Sequence, residues 1–490
     1  MATTPDPIHA ARLTFHGGLA GALTPFAVFL GGVATLAVAG APDEKGFWPI
    51  LLLALIVGLL LTKDRARYSE AMLDGMSQRV VMLMLCAWLF AGVLGTILSA
   101  SGFVGALAWL ARGAHLTGGG YVGAAFIVCA VVSTATGTSF GTILLAGPLL
   151  YPAGGPAGAA PAALMGAILA GATFGDSISP VSDTTIASSV SQDADIGGTV
   201  RSRLRYAVPA GVIALVASVI TGARADVVVA SAAGSMVDAK PVALIMLIAP
   251  ALVIGMLLRQ RHLVESLLAG IATAAILAVS LGRITPGALL HVAPGTFGAT
   301  GLVVDGMQRA IGVSVFTLLL VALVGTLQAT DALERLVLAA EGRARSSRMA
   351  EWWIVGVVSA AVLITTHSVV AILAVGPFAK QTGERFALSR YRRANLLDLT
   401  VCTWPFLLPW FLPTILSASA SAGGEAFGMP PQTPFAIGMH NTYAWALVGA
   451  VVLAVTTGYG RKWESADARA ASIPEAVRVR SSAAHHEEQA

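Results

Sequence analysis

The chain has 490 residues, 56% of them hydrophobic and only 11% charged, with a formal net charge of +4. Soluble globular domains carry about 25% charged residues, so this composition excludes an ordinary water-soluble protein. Several apolar runs reach about 18 residues without a charge, the length that crosses the hydrocarbon core of a bilayer. The sequence predicts a multi-pass membrane protein, whose basic balance reflects cytoplasmic Lys and Arg rather than nucleic-acid binding.

Eight uninterrupted membrane crossings are predicted, and two further apolar stretches contain internal breaks. The N-terminal residues are polar and mixed, so no signal peptide is expected. The three cysteines lie far apart in apolar runs, which indicates neither a metal site nor disulfides. The uninterrupted crossings are 19–40, 47–62, 80–100, 205–222, 241–258, 263–281, 311–328 and 436–457, and the interrupted ones are 161–195 and 391–418.

Six clusters of Lys and Arg set the predicted orientation. Placing all of them in the cytoplasm satisfies the positive-inside rule and gives ten crossings with both termini cytoplasmic. Residues 121–152 and 351–379 then begin and end on the same side, so each is expected to form a re-entrant helical hairpin. The clusters are Lys63, Arg65 and Arg67; Arg201, Arg203 and Arg205; Arg259 and Arg261; Arg343, Arg345 and Arg348; Arg390, Arg392 and Arg393; and Arg461 and Lys462.

The two halves of the chain share short motifs at an offset of about 230 residues, such as Gly147-Pro148 and Gly376-Pro377. With the predicted orientation the two halves are inverted, which is typical of secondary transporters. The predicted fold is an all-α polytopic membrane protein. It has about ten transmembrane helices plus two re-entrant hairpins, in inverted repeats with broken helices at the midplane.

These boundaries divide the chain into seven predicted segments. They are a cytoplasmic N-terminal segment (1–18), leading transmembrane helices (19–73), the first repeat (74–200), connecting scaffold helices (201–304), the second repeat (305–420), the last transmembrane helix (421–458) and a polar cytoplasmic tail (459–490).

Three carboxylates fall deep within apolar stretches: Asp176, Asp183 and Asp398. A charge at mid-membrane costs about 2.5–3.5 kcal/mol on insertion scales, so such residues usually serve a transport path or a partner. Pro180 lies between the first two and is expected to break their helix. Released carbonyls, hydroxyls and carboxylates form a hard oxygen site suited to Na⁺. The candidate ligands in this stretch are Asp176, Ser179, Ser182, Asp183 and Thr184, with Asp176 and Asp183 as the sodium ligands.

Alternative roles are open for several of these residues. Asp183 could instead cap a half-helix, and Asp398 could pair with Arg393 near the inner surface. The hairpin tips add Thr138 and Ser139, whose hydroxyls could also bond to the preceding turn. The second tip and the second interrupted stretch add Thr366, His367 and Thr403, and His367 could equally be a satisfied polar histidine.

The motif Gly-Asp…Ser-Pro…Ser-Asp-Thr-Thr in Gly171–Ser189 closely resembles the hallmark of the NhaC family of sodium/proton antiporters. Thr136–Gly141 resembles the preceding hairpin of that family, and Ser389–Trp410 is similar to its second-half counterpart. The resemblance implies elevator-like transport, and the family also includes exchangers of small carboxylates. Leu397 and Trp404 depart from the family pattern, which has Glu and Ser there, and this puts ion preference in question.

The leading hypothesis is a Na⁺/H⁺ antiporter, in which sodium and protons compete for Asp176 and Asp183. The alternative is sodium-coupled exchange or symport of a small organic anion such as malate or lactate, whose carboxylate would suit helix N-termini. No intramembrane Arg or Lys is evident for such an anion, which favours cations. The chain has no HExxH, GxSxG or P-loop motif, so neither an enzyme nor a cofactor is expected. We expect a bacterial inner-membrane location, with a homodimer left open.

Overall fold

A computed structural model of the chain describes residues 12–39, 44–116, 118–223, 241–259, 261–293 and 298–464. Most of the predicted N-terminal segment and of the predicted tail lies outside the described residues. Within them the secondary structure is almost entirely helical, as predicted. The two strands that it contains, β1 (His291–Ala293) and β2 (Gly298–Thr300), pair antiparallel.

The first half of the chain consists of five helices, a helical hairpin, a broken helix and one long helix. The five are α1 (Leu19–Ala39), α2 (Phe47–Leu61), α3 (Arg65–Met76), α4 (Arg79–Ala100) and α5 (Phe103–Gly113); the hairpin is α6 (Gly119–Thr136) and α7 (Ser139–Gly154); the broken helix is α8 (Pro161–Ile178) and α9 (Asp183–Ser191); the long helix is α10 (Ile196–Ala223).

The second half repeats the order of hairpin and broken helix. A 3-10 turn (Pro241–Leu247), α11 (Ile248–Leu258), α12 (Leu263–Ser280) and α13 (Pro286–Leu289) precede it; α14 (Leu302–Gln328) and α15 (Ala332–Ala340) open it; the hairpin is α16 (Ser347–Thr365) and α17 (Ser368–Arg385); the broken helix is α18 (Arg390–Val401) and α19 (Leu412–Ser421); α20 (Pro434–His440) and α21 (Thr442–Thr457) close it.

Eight of the described helical segments are long and apolar enough to cross a membrane, or nine if α20 and α21, which bend by 54° at their junction, form one span. Ten crossings were predicted. Two of the eight segments are α6 and α16, the first arms of the predicted hairpins, so their length alone permits a full crossing. Two predicted crossings, 47–62 and 241–258, correspond to shorter apolar helices.

Large apolar side chains point outward from several of these helices, among them Leu60, Ile213 and Ile276, each more than 60% exposed. Such a surface indicates contact with lipid. In contrast, most of α8 is enclosed by other helices. A Cβ atom on Gly171 or Gly175 would lie only 2.2 or 2.3 Å from a backbone oxygen of α6. Small residues therefore let α6 and α8 pack closely, as is common in membrane helices.

Both hairpin tips have the same backbone conformation. Gly137 and Thr366 end α6 and α16 in the left-handed region, with φ of 69° and 51°. Thr138 and His367 follow in an extended conformation and immediately precede α7 and α17. These equivalent positions are 229 residues apart, close to the offset of the sequence motifs.

The helix breaks lie at the predicted prolines. Ser179, which precedes Pro180, has the extended ψ of 130° that proline imposes on its neighbour. In the second half, Pro405 lies in a 3-10 turn between α18 and α19. Two predicted crossings lie in helices that begin earlier: α10 begins at Ile196 rather than at residue 205, and α14 begins at Leu302 rather than at residue 311. Arg201, Arg203 and Arg205 therefore lie within α10 and not in a loop before it.

Candidate functional site

The two hairpin tips and the break between α8 and α9 meet at a cavity of about 200 Å³. Eight of the eleven candidate site residues line this cavity. They are Thr138, Ser139, Asp176, Ser182, Asp183, Thr184, Thr366 and His367.

Asp176 occupies the last turn of α8 and is the best-anchored carboxylate of the cavity. The Ser139 hydroxyl, at the start of α7, donates a hydrogen bond of 2.8 Å to Asp176 Oδ2. This bond joins the first hairpin tip to the first broken helix. Ser139 does not bond to the preceding turn, which was the open alternative for its hydroxyl.

Asp183 is the first residue of α9 and is exposed to the cavity. Ser182 occupies the capping position, and its hydroxyl shares a 3.1 Å hydrogen bond with that of Thr184. The Ser182 side chain makes no capping hydrogen bond, and Asp183 lies one position inside the helix rather than at its cap. Two carboxylates and several hydroxyls therefore face one space, which is an oxygen-rich donor set suited to a hard cation.

His367 lies at the second tip, immediately before α17, and its side chain is partly buried. Its Nδ1 atom is buried without a hydrogen-bond partner among the described residues. At this nitrogen, His367 therefore lacks the hydrogen bond that a purely structural histidine would be expected to make. At the first tip, the Thr138 oxygen accepts a 3.2 Å hydrogen bond from the Gly141 amide while also lining the cavity.

Three helices begin at this cavity: α7 at Ser139, α9 at Asp183 and α17 at Ser368. Helix N-termini carry partial positive charge, so the cavity combines two carboxylates with three positive dipole ends. Such an arrangement can hold a cation on its carboxylates and an anionic group on its free backbone amides.

Three candidate residues do not line the cavity. Ser179 is buried, and its hydroxyl oxygen accepts a 3.3 Å hydrogen bond from the Val181 amide. The Thr403 hydroxyl, just after α18, donates to the Thr400 carbonyl at 2.6 Å. Asp398 is fully buried behind the cavity wall.

Asp398 pairs with Arg203 of α10, at 2.5 Å, and not with Arg393 as the alternative had it. Both side chains are fully buried. Arg203 also donates to the Ser177 carbonyl, near the end of α8, and to the Thr185 hydroxyl, at the start of α9, each at 2.7 Å. One arginine thus bridges both sides of the first break and fixes them to the second broken helix. Arg203 is neutralised by Asp398 and does not line the cavity, so it is not available there for a transported anion.

Sequence reasoning missed Arg203 because it was counted with the basic residues of a loop. If these residues are placed on a helix, with 100° per residue, Arg201 and Arg205 share one face and Arg203 lies on the opposite face. This pattern would have distinguished Arg203 from its two neighbours. Ser368 and Cys402 also line the cavity and were not among the candidates. Both adjoin predicted residues, at the second tip and after α18.

A smaller cavity of about 50 Å³ lies beside the first. Trp88 of α4 and Leu144 of α7 line both. Along α4 the larger cavity touches residues 83 to 88 and the smaller one residues 88 to 99, so the two follow each other along the helix axis. Trp88 is 2% exposed and stands between them.

Paired hairpin tips and broken helices around a shared cavity, within a bundle of apolar helices, are typical of secondary transporters in membranes. Comparison with known proteins agrees with this class. Residues 20–223 match the sequence model of the Na⁺/H⁺ antiporter family. This match, and the similarity to a curated NhaC protein described next, confirm the predicted resemblance to the NhaC family.

Three curated relatives are similar to parts of the chain. The malate-2H⁺/Na⁺-lactate antiporter of Bacillus subtilis is 39% identical over 99 residues, 20% of this chain and 21% of the relative. The Na⁺/H⁺ antiporter NhaC of Alkalihalophilus pseudofirmus is 26% identical over 240 residues, 46% of this chain and 50% of the relative. The arginine/ornithine antiporter ArcD of Halobacterium salinarum is 26% identical over 340 residues, 62% of this chain and 68% of the relative. The chain thus spans about a fifth of the length of the first of these relatives and half of the length of the second.

Proposed function

We propose that the protein is a secondary active Na⁺/H⁺ antiporter that works by alternating access around the 200 Å³ cavity. The observation that carries this proposal is the meeting of Asp176 and Asp183 with the hydroxyl-bearing hairpin tips in one space. The match to the Na⁺/H⁺ antiporter family supports it, since that family consists of transporters rather than enzymes.

In this mechanism Na⁺ binds to the carboxylates of Asp176 and Asp183 and to nearby hydroxyl oxygens. Protons occupy the same carboxylates when sodium has left, so each ion displaces the other and the two flows are coupled. The Ser139 hydroxyl keeps one Asp176 oxygen oriented by a hydrogen bond. Asp398 is not a ligand here, because Arg203 neutralises it.

We further propose that the protein lies in the inner membrane of a bacterium with both termini cytoplasmic, and that residues 74–200 and 305–420 are inverted repeats. The basic clusters support the orientation through the positive-inside rule. The left-handed backbone conformation at both hairpin tips supports the repeats.

Everted vesicles that carry a pH-sensitive dye test the antiport directly. Adding Na⁺ should release protons in the wild type, and Asp176→Asn should abolish this response without preventing insertion, because it removes a buried charge. Asp331→Asn is the matched control, since Asp331 pairs with Arg335 on an exposed helix face. Normal exchange in Asp176→Asn would remove Asp176 from the mechanism.

The pH dependence of sodium affinity tests whether the two ions share one site. At pH values where the carboxylates take up protons, half-saturating Na⁺ should climb about tenfold per pH unit of acidification for one competing proton. At higher pH it should become constant. The measurement is the half-saturating Na⁺ concentration for proton release, taken at pH values from roughly 6.5 to 9. Half-saturation that does not change with pH would contradict a shared site.

A second candidate function is sodium-coupled exchange or symport of a small organic anion. The specific observation in its favour is space: 200 Å³ far exceeds the ~30 Å³ of one water molecule. The three helix N-termini at the cavity would suit a carboxylate group, and one relative is named for malate and lactate. Under this alternative, sodium would move few protons until malate or lactate is supplied to the vesicles.

A further inference from the structure

A second polar pocket, of about 180 Å³, lies between the first turns of α10, the start of α18 and the residues after α21. Its lining includes Arg201, Arg205, Arg392 and Lys462, and no carboxylate residue lines it among the described residues. These elements carry three of the basic clusters that the positive-inside rule assigns to the cytoplasm. The pocket is separate from the transport cavity and shares no lining residue with it.

The charge of this pocket is only partly compensated. Arg392 is buried and bound to Glu351 by hydrogen bonds of 2.8 and 3.2 Å. Glu351 also binds Arg461, at 2.6 Å, so one carboxylate serves two arginines. Arg201, Arg205 and Lys462 have no ion pair with any described residue. The carboxylate of Asp195 is nearby, but it accepts hydrogen bonds from the Tyr391 hydroxyl and the Gly198 amide.

The pocket wall also carries hydroxyl groups. Those of Ser202, Tyr206 and Tyr391 line it, and each already donates a hydrogen bond to a protein oxygen. The charged groups are therefore the donors that the pocket offers to a ligand. Three cations that form no ion pair with the described residues, in a concave site, suit a group with several anionic oxygens, such as a phosphate.

An apolar stripe runs along α10 from the rim of the pocket. Leu204, Val208 and Val212 are spaced by four residues and are 37 to 56% exposed. Residues at this spacing share one face of a helix, and that face looks toward lipid. A phosphate group held in the pocket would therefore have room for acyl chains directly beside it.

We propose that this pocket binds a phosphate group at the basic end of the bundle, and the apolar stripe favours an anionic phospholipid headgroup as its source. Basic pockets between transmembrane helices on the cytoplasmic side are suited to such headgroups. The proposal concerns binding alone and does not depend on which ions the protein transports.

The pocket is connected to the broken helices by hydrogen bonds. Asn395, in its wall, donates to the Ser202 hydroxyl at 2.6 Å and accepts from Arg203 Nε at 3.1 Å. Arg203 in turn binds Asp398 and the ends of α8 and α9. A ligand in the pocket therefore contacts the network that holds the break, and its binding should stabilise the fold against heat.

The test uses the full-length protein in a neutral detergent and follows its melting temperature and ligand dissociation constant. The titrants are short-chain phosphatidylglycerol, short-chain phosphatidylcholine and inorganic phosphate. We expect saturable stabilisation by phosphatidylglycerol alone. Arg201→Gln/Arg205→Gln should weaken its binding roughly thirtyfold, from about 1 kcal/mol for each basic residue.

Arg345→Gln/Arg348→Gln is the matched control, because it removes two exposed arginines from another basic cluster; its affinity should equal that of the wild type. If the double pocket variant does not fold, Lys462→Gln, after the last helix, should still weaken binding about fivefold. If inorganic phosphate stabilised the protein as much as phosphatidylglycerol does, the pocket would bind free phosphate and not specifically a lipid headgroup. Equal affinity in pocket and control variants, or equal stabilisation by phosphatidylcholine, would overturn the site itself.

Discussion

Thr366 has a left-handed backbone conformation that β-branched residues rarely adopt. At the equivalent position of the other tip the chain has Gly137, for which this conformation is easy. Strain of this kind costs about 1–3 kcal/mol and is found mostly at functional sites. The Thr366 side chain lines the cavity, so its presence there in place of glycine indicates that the side chain is used.

Replacing Thr366 by glycine should separate strain from function. Thr366→Gly is expected to stabilise the protein by about 1 kcal/mol, yet to weaken sodium binding because an oxygen ligand is lost. Thermal unfolding and sodium-driven proton movement measure the two effects. Ala387→Gly is the control, since Ala387 has a similar φ of 57° outside the cavity. Unchanged sodium affinity in Thr366→Gly would show that the hydroxyl is not a ligand.

Among the helical elements, the two broken helices depend on the buried pair Arg203–Asp398. Removing one partner of a buried ion pair leaves an uncompensated charge, which costs about 3–5 kcal/mol. Arg203→Gln and Asp398→Asn should each destabilise the protein by that amount. The double variant should lose less than the sum, with an interaction energy of about 0.5–3 kcal/mol.

Chemical denaturation of the wild type, the two single variants and the double variant in detergent measures this interaction energy. The control is the exposed pair of Asp331 and Arg335, four residues apart at 2.7 Å, which should give only about 0.3–0.5 kcal/mol. Strict additivity for Arg203 and Asp398 would contradict their role in holding the break.

The contact between the first hairpin and the first break depends on a glycine. A Cβ atom on Gly137 would lie 2.7 to 2.8 Å from atoms of Val181, within the break. Gly137→Ala should therefore move the tip away from α8, lengthen the bond from Ser139 to Asp176 and strongly reduce transport. Gly118→Ala is the control, because Gly118 also has a positive φ but only ordinary contacts at 3.6 Å or more. Equal transport in both variants would rule out the close contact as the cause.

The helical elements could largely be predicted from the sequence, because hydrophobic length and proline act locally. Pro180 predicts the break after Ser179, and the Thr-Gly-Thr-Ser run predicts the first tip. The pairing of Arg203 with Asp398 could not be predicted, since it joins residues 195 positions apart that no periodicity relates. The same holds for Ser139 and Asp176, whose hydrogen bond depends on how the hairpin packs against α8.

For the whole molecule, the orientation in the membrane is still a prediction. Arg203 is buried within the bundle and therefore does not count toward the positive-inside rule. Arg201, Arg205 and the other basic clusters still support the predicted orientation. A cysteine placed near Ala420, in a background without the three native cysteines, should react with an impermeant maleimide added from outside the cell. Reaction only from the cytoplasmic side would reverse or break the predicted topology.

Trp88 and Leu144 are the residues that separate the two cavities. Because so few side chains separate them, they bear on whether ions can leak through the protein. An exchanger conserves its gradients only while no open path joins the two sides of the membrane. Trp88→Ala would remove the indole and merge the cavities of about 200 and 50 Å³. We expect liposomes that contain this variant to leak sodium along an imposed voltage without moving protons in return. Trp109→Ala is the control, because this tryptophan is 43% exposed, and liposomes that contain it should not leak sodium. If liposomes with Trp88→Ala did not leak either, the barrier would lie elsewhere in the protein.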